Sequence, residues 1–310
     1  MDQSAWAADR RLDSSIVQQI LRAQFPELRP RSIALLGEGW DSEVYEVDRQ
    51  WVLRFPKRAE VQVTLAREQA LLPALAAQLP IAVPRFELFG QPSELFPYRF
   101  VGYRKLPGVP LQLCLTAALS SRGEGLIAQQ LGEFLSALHG FEGAEHLAAM
   151  PSSDLGYLGE PIRIVEDRFA HLRAEDPVLS ERLQRFMATR PASSRPDDRR
   201  VLTHADLDLE HILIDLDAER ITGVIDWADV RLAAACGEFE SFASWRGRAF
   251  TSQVLAHYRG PVHDADMEWI RQRAIHVALG NLTYGRMAQR PPYVQAGLHA
   301  LRQVLPPAWG

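Results

Sequence analysis

Residues 204–215 read HADLDLEHILID, and residues 221–229 read ITGVIDWAD. Among the His, Asp and Glu side chains here, whose types can accept a proton, orient a hydroxyl or hold a metal, Asp206, His211 and Asp226 have the spacing that matters. ILID (212–215) and ITGVI (221–225) are apolar runs joined by a short polar turn, which predicts an antiparallel hairpin. In such a pair the start of one strand lies beside the end of the other. His211 precedes the first strand and Asp226 follows the second, so they meet at the end opposite the turn. Asp206 lies on the loop that enters that end. Mg²⁺ favours carboxylate and water oxygens, so Asp226 is a good ligand, and a neutral His is a softer but tolerable one. Asp206 is then free to accept a hydrogen bond from an acceptor hydroxyl. Positioning, charge neutralisation and one orienting base are what phosphoryl transfer requires. A loop of His, Asp and Glu is also what a plain solvated segment looks like, so the N-terminal half must decide.

That half contains LGEGWDSEVYEV (36–47) and WVLRF (51–55). The first reads as strand, Gly-x-Gly turn, strand. Gly37 and Gly39 would let backbone N–H groups approach an anion, and Ser42 could add a hydroxyl. Arg54 is a cation in the middle of an apolar strand. It either snorkels to water or points at nucleotide phosphates. Glu68, in TLAREQALL, is its candidate ion-pair partner; a helix-surface residue near Arg67, or solvent, is the alternative.

The elements that position these groups follow from pattern. DSSIVQQILRAQ (13–24) predicts a helix capped by Asp13 or Ser14, with Ile16, Val17, Ile20 and Leu21 on one face. Strands are expected at 32–37, 43–48 and 51–55, with a tight DRQ connection between the last two. A helix is expected over 60–79, kinked or restarted by Pro73. Two further strands follow near 84–89 and 98–105. LPGVPL (106–111) reads as a hinge between lobes. Beyond it, helices are expected at 126–140, with Gly140 as its stop, and at 178–189. An exposed loop covers 190–199, and 238–310 is helical with turns at Gly260-Pro261 and Pro291-Pro292. The plan is α+β: a small β-rich lobe (1–105) followed by a larger, mainly helical lobe (112–310).

Composition narrows the partners. The 310 residues suit two lobes, and 47% apolar with 24% charged is ordinary for a soluble globular chain. A net charge of −5 argues against a nucleic-acid partner and against non-specific membrane attraction. No apolar stretch reaches the ~18 residues of a membrane span, and the N-terminus has no signal-peptide run. Cys114 and Cys236 form no zinc spacing and no disulfide framework. A cytoplasmic location is expected, with the protein a monomer or a weak dimer.

GEGWDS, WVLRFPKR, the Glu68 helix, HADLDLEHILID and VIDWAD, in this order, resemble the antibiotic phosphotransferases with a protein-kinase-like fold. The likeness spans most of residues 30–245. It is nearest to the aminoglycoside 2″-phosphotransferases, through YRKLPGVPL and EHILID, and to the macrolide 2′-phosphotransferases, through WVLRFPKRAEV. The resemblance implies a bilobal kinase with Asp206 as catalytic aspartate, His211 and Asp226 as metal ligands, and His204 bracing the loop. It places Lys105 with Gly37, Gly39, Ser42, Arg54 and Glu68 in the nucleotide-binding set, and implies Mg²⁺ with ATP or GTP as phosphate donor. His211 stands where most such kinases have Asn, although both subgroups also use His. Arg54 stands where Lys is usual, and its forked guanidinium grips phosphate differently. The usual Asp-Pro after the metal aspartate is absent from AAACGEFES. Glu238 there is expected to brace a helix.

The small-molecule acceptor would bind in the helical lobe near Asp206. A polycationic aminoglycoside needs carboxylates, for which Asp208, Glu210, Asp229, Glu238 and Glu240 are candidates. A macrolide needs apolar and aromatic surface, for which Phe239, Phe242, Trp245, Trp269 and Tyr284 are candidates. Phe239 and Phe242 also have the spacing of core residues. A metabolite kinase and a silent nucleotide-binding module fit the same motifs.

Overall fold

The computed structural model describes residues 9–115, 118–143, 166–189 and 200–305. The expected loop at 190–199 lies outside them. The chain divides into two compact units: residues 1–77 with 82–107, and residues 78–81 with 108–310.

The first unit holds a five-stranded antiparallel sheet and two helices. Its strands are β1 (Ile33–Glu38), β2 (Ser42–Val47), β3 (Trp51–Pro56), β4 (Phe86–Gly90) and β5 (Phe100–Arg104), in the order β1-β2-β3-β5-β4. Helix α1 (Ser14–Gln24) begins where Asp13 Oδ1 accepts the Ser15 and Ile16 N–H groups at 2.8 and 2.9 Å. A cap of this kind contributes about 1 kcal/mol. Val17, Ile20 and Leu21 of α1 share a core with Tyr45, Leu53, Phe55, Phe96 and Phe100. Phe55 stacks on Phe100 at 4.4 Å and meets Phe96 edge-on at 5.2 Å, each contact adding about 1 kcal/mol to the burial. The β2–β3 connection turns on Asp48 and Arg49, both at positive φ. Asp48 is held by accepting the Arg31 and Ser32 N–H groups.

Helix α2 (Val61–Gln78) runs through Pro73 as one element, so no restart occurs there. Pro73 only deprives the Gln69 carbonyl of its intrahelical donor. Leu65, Leu71, Leu72 and Leu75 are buried, and their packing outweighs that loss.

The second unit is mainly helical: α3 (Ser121–His139), α4 (Glu166–Glu175), α5 (Pro177–Thr189), α6 (Glu240–Ala256), α7 (Met267–Met287) and α8 (Pro291–Val304). Helix α3 starts five residues earlier than expected, where the Ser120 hydroxyl accepts the Gly123 N–H. Gly140 ends it by donating to the Ser136 carbonyl at 3.0 Å. Pro291 and Pro292 are not a turn. They open α8, where a missing N–H costs nothing.

Two small sheets lie among these helices. One is β6 (Val109–Pro110), β8 (Ile212–Asp215) and β9 (Arg220–Val224), in the order β6-β8-β9; the other pairs β7 (Arg200–Thr203) with β10 (Arg231–Ala234). Part of the expected hinge is therefore a strand of the second unit. Gly108, at φ +100, must be glycine: a Cβ would come within 2.5 Å of Thr222 Oγ1.

Candidate functional site

In the second unit, β8 and β9 pair with Ile212 opposite Val224 and Asp215 opposite Arg220. The Ile225 N–H donates to the His211 carbonyl at 2.9 Å, which closes the open end of the hairpin. His211 and Asp226 are thereby brought together, with Nε2 and Oδ2 3.6 Å apart. Asp206 joins them, its Oδ2 3.6 Å from His211 Nδ1. That ring nitrogen lies 2.7 Å from the Asp206 carbonyl oxygen. With the proton on Nδ1, it donates to this carbonyl and leaves the Nε2 lone pair facing Asp226.

The loop behind these groups is held from below. Glu238 is 4% exposed, and its two oxygens accept the His204 and Ala205 N–H groups at 2.9 and 3.0 Å. Those bonds hold Ala205 at φ +66, and Asp226 is also left-handed at φ +64. Such backbone costs about 1–2 kcal/mol per non-glycine residue and persists only where the surroundings over-determine it. His204 is fully buried against Trp227, with ring centroids 4.6 Å apart and Nε2 3.0 Å from the Ile225 carbonyl. Burial pushes His204 down to about 3, so it is a neutral brace.

Burial also sets the charges of the site. It pushes Asp206 up to about 7, outweighing the opposing pull of His211 even though roughly half of the side chain meets solvent. The same cause raises Glu238 to about 7 and raises Glu210. Burial pulls His211 the other way, but Asp226 and Asp206 prevail and leave it above its ordinary value. Two electron-pair donors facing each other across 3.6 Å suit a small divalent cation. Among the described residues, no group of three His, Cys, Asp or Glu side chains is placed to enclose a metal. His211 and Asp226 are the residues that would hold Mg²⁺, an ion that takes one or two protein ligands and completes its shell with water and phosphate.

Around this centre, Asp208 is half-buried, with the Ser241 hydroxyl 3.5 Å away. Glu210 takes a 3.5 Å contact from the Tyr293 hydroxyl, and Tyr293 meets Tyr284 edge-on at 5.0 Å. Asp229 is exposed, 3.7 Å from Arg231. Glu240 is paired with Arg273 at 3.1 Å. Phe239, Phe242 and Trp245 are wholly buried, whereas Trp269 and Tyr284 are half-buried. The Glu238 carboxylate is committed to the backbone, which separates it from the other acceptor candidates. Cys114 and Cys236 are both buried and free.

In the first unit, Arg54 Nη1 meets Glu68 Oε2 at 2.6 Å, both nearly buried. Val44 lies opposite Arg54, and Ser42 opposite Pro56. Neither glycine of the turn needs to be one for packing: a Cβ at Gly37 meets nothing within 4 Å, and at Gly39 only the Ser42 carbonyl at 3.7 Å. The space beside them suits close approach of a ligand to the backbone. Lys105 is paired with Glu46, and its N–H donates to the Gln50 carbonyl at 2.8 Å. Lys57 lies just outside β3, after Pro56, is 5% exposed and holds Glu38 of the turn at 2.7 Å, a pairing that its position after the proline does not signal.

A phosphotransferase enzyme family model matches residues 32–272. The uncharacterized protein YcbJ of Bacillus subtilis (strain 168) is 26% identical over 260 residues, 77% of this chain and 78% of that protein. Among solved structures, the GDP and kanamycin complex of the phosphotransferase APH(2″)-IIIa is 26% identical. It superposes with a TM-score of 0.65 over 93% of this chain and 97% of that one. The macrolide 2′-phosphotransferase MphH from Brachybacterium faecium, 23% identical, shares the fold with a TM-score of 0.57, over 89% of this chain and 93% of that one.

Proposed function

Because the chain belongs to the phosphotransferase enzyme family and has its kinase-like fold, we propose that it transfers the γ-phosphate of ATP or GTP to a hydroxyl of an antibiotic, in the first place an aminoglycoside. The observation that carries this reading is the meeting of Asp206, His211 and Asp226 at the open end of the β8–β9 hairpin. Asp206, at about 7, suits a group that orients the acceptor hydroxyl and takes its proton near neutral pH. His211 and Asp226 would hold Mg²⁺, which supplies neutralisation of phosphate charge when bound. Arg54, fixed by Glu68, would present its guanidinium to the donor phosphates, and the Gly37–Gly39 turn its backbone N–H groups. Lys105 and Ser42 complete the donor set. His204 and Glu238 keep the loop in shape. Residues 1–105 would form the donor lobe, 106–111 the connection and 112–310 the acceptor lobe.

The acceptor assignment rests on which candidates are available. Asp206, Asp208, Glu210 and Asp229 are half-buried or exposed, while Phe239, Phe242 and Trp245 are spent on the core. Carboxylates suit a polycation. One observation favours a macrolide instead: Tyr284 and Tyr293 beside Glu210 would suit a large apolar ring with a single amine. A nucleotide-consumption screen with Mg²⁺, ATP or GTP and a panel of aminoglycosides, macrolides and amino alcohols tests the reading. Phosphorylated aminoglycoside is the expected product. Consumption with macrolides alone would move the assignment to them, and no product from any antibiotic would overturn it.

A further inference from the structure

The turn between β1 and β2 is fastened at two points to the segment that follows β3. Lys57 Nζ meets Glu38 Oε1 at 2.7 Å, and the Lys57 N–H donates to the Asp41 carbonyl at 2.8 Å. Arg58 Nη2 meets Asp41 Oδ1 at 2.8 Å, and its Nη1 donates to the Trp40 carbonyl at 3.2 Å. The sheet register shows from which side Lys57 acts. Glu38 pairs with Glu43 and Glu43 with Phe55, so these side chains share the face that carries the Phe55 core. Two residues beyond Phe55, Lys57 continues on that face. Arg54 points the other way, together with Val44 and Ser42.

Lys57 is thus not a second phosphate cation beside Arg54. It is a lysine buried to 5% exposure, a placement that disfavours its charge unless it has a fixed partner. Its partner is the central residue of the Gly-x-Gly turn. The glycines themselves bring no side-chain packing to the turn, since a Cβ on Gly37 would meet nothing within 4 Å and one on Gly39 only the Ser42 carbonyl oxygen; the backbone closes it with the Gly39 N–H donating to that carbonyl at 3.0 Å. A turn with two glycines loses much conformational freedom when a ligand orders it.

We propose that Lys57 and Arg58 are positioning residues for the phosphate donor: by holding Glu38 and Asp41 they keep the turn in the shape that receives the nucleoside triphosphate, before it arrives. The inference rests on the phosphotransferase reading. It makes a prediction opposite in sign to plain electrostatics. Glu38→Gln and Asp41→Asn each remove a negative charge from a turn that meets an anion, which alone would tighten binding. If the pairs fasten the turn, both variants weaken it.

The test measures calorimetric affinity of the full chain for a non-hydrolysable ATP or GTP analogue with Mg²⁺. The expected result is a Kd raised on the order of tenfold in E38Q and in D41N, the scale of one charge-assisted hydrogen bond. Turnover at saturating donor and the acceptor KM should stay near the wild-type values. The double variant E38Q/K57M should bind no worse than E38Q, because the pair acts as a unit. An unchanged or lowered Kd in E38Q and D41N would overturn the inference, even if both melt at lower temperature. A wild-type chain that binds no nucleoside triphosphate would overturn the phosphotransferase reading and this inference with it.

Discussion

The two regions of chemical interest hold their charges differently. Around the glycine turn the opposite charges are closed on each other: Arg54–Glu68 at 2.6 Å, Lys57–Glu38 at 2.7 Å and Arg58–Asp41 at 2.8 Å. At the end of the β8–β9 hairpin, the His211 ring stands 3.6 Å from the carboxylates of both Asp206 and Asp226, beyond hydrogen-bond range, and bonds instead to the Asp206 backbone carbonyl. Closed pairs fix geometry. At the wider spacing, where Asp206 and His211 are both raised above their ordinary proton affinities, there is room for a ligand between the side chains. The backbone repeats the contrast, because Ala205 and Asp226 hold left-handed conformations beside the open groups. On the proposed reading, the first region holds shape and the second receives the metal and acceptor.

The sharpest way to break this contrast is Asp206→Asn. It keeps the size of the side chain and removes its capacity to take a proton. Turnover should fall by about 10²–10⁴-fold, the usual contribution of a positioned base, while calorimetric donor affinity changes little. A variant retaining a third of wild-type turnover would make Asp206 a bystander. Next in size is Glu238→Ala, which leaves two buried N–H groups without their acceptor. The cost should be about 3 kcal/mol, seen as a clear drop in melting temperature together with lost turnover. An unchanged melt would mean that the Glu238 bonds hold nothing in place.

A smaller effect separates the two regions by pH. Metal binding by His211 requires its neutral form, so protons compete with the metal. Asp226 and Asp206 raise the imidazole above its ordinary value despite burial, so the competition should begin in the neutral range. Mg²⁺ or Mn²⁺ affinity, measured by calorimetry, should fall as pH drops from 8 to 6, by up to about tenfold per unit. His211→Asn offers an oxygen that does not titrate, and should flatten that slope while still binding the metal. A wild-type affinity independent of pH would remove His211 from the metal's coordination.

The same contrast explains what could be read from the sequence. The convergence of Asp206, His211 and Asp226 follows from two apolar runs and antiparallel pairing, so it was legible without any tertiary information. The Arg54–Glu68 pair was legible as a cation on an apolar strand and an acid on the next helix. The Glu238 clamp joins residues more than thirty positions apart through a short turn of 3-10 helix, and no local pattern announces it. The β7–β10 pair escaped because RVLT and RLAA are four residues each and distant in the chain. Pro291-Pro292 was misread because proline signals both a turn and a helix start, and only the packing of Val294, Leu298 and Leu301 decides between them. The Lys57–Glu38 pair depends on strand register, which residue types alone leave open.

The smallest effect tests whether the open region stores strain. Ala205 sits at φ +66, where its Cβ crowds the backbone at a cost of about 1–2 kcal/mol. Glycine would remove that crowding. It would also add about 0.5–1 kcal/mol of freedom to the unfolded chain, which opposes the gain. The net expectation for Ala205→Gly is a stabilisation of about 0.5–1.5 kcal/mol where the full left-handed cost is stored, a shift of roughly 1–3 °C in melting temperature for a chain of this size. Turnover should fall, not rise, because glycine no longer excludes other conformations of the loop that carries Asp206. Higher stability with lower turnover would show that the strained alanine serves position at the expense of stability. Equal or lower stability would mean that the Glu238 bonds impose the left-handed backbone without stored strain, and the contrast with the glycine turn would rest on charge alone.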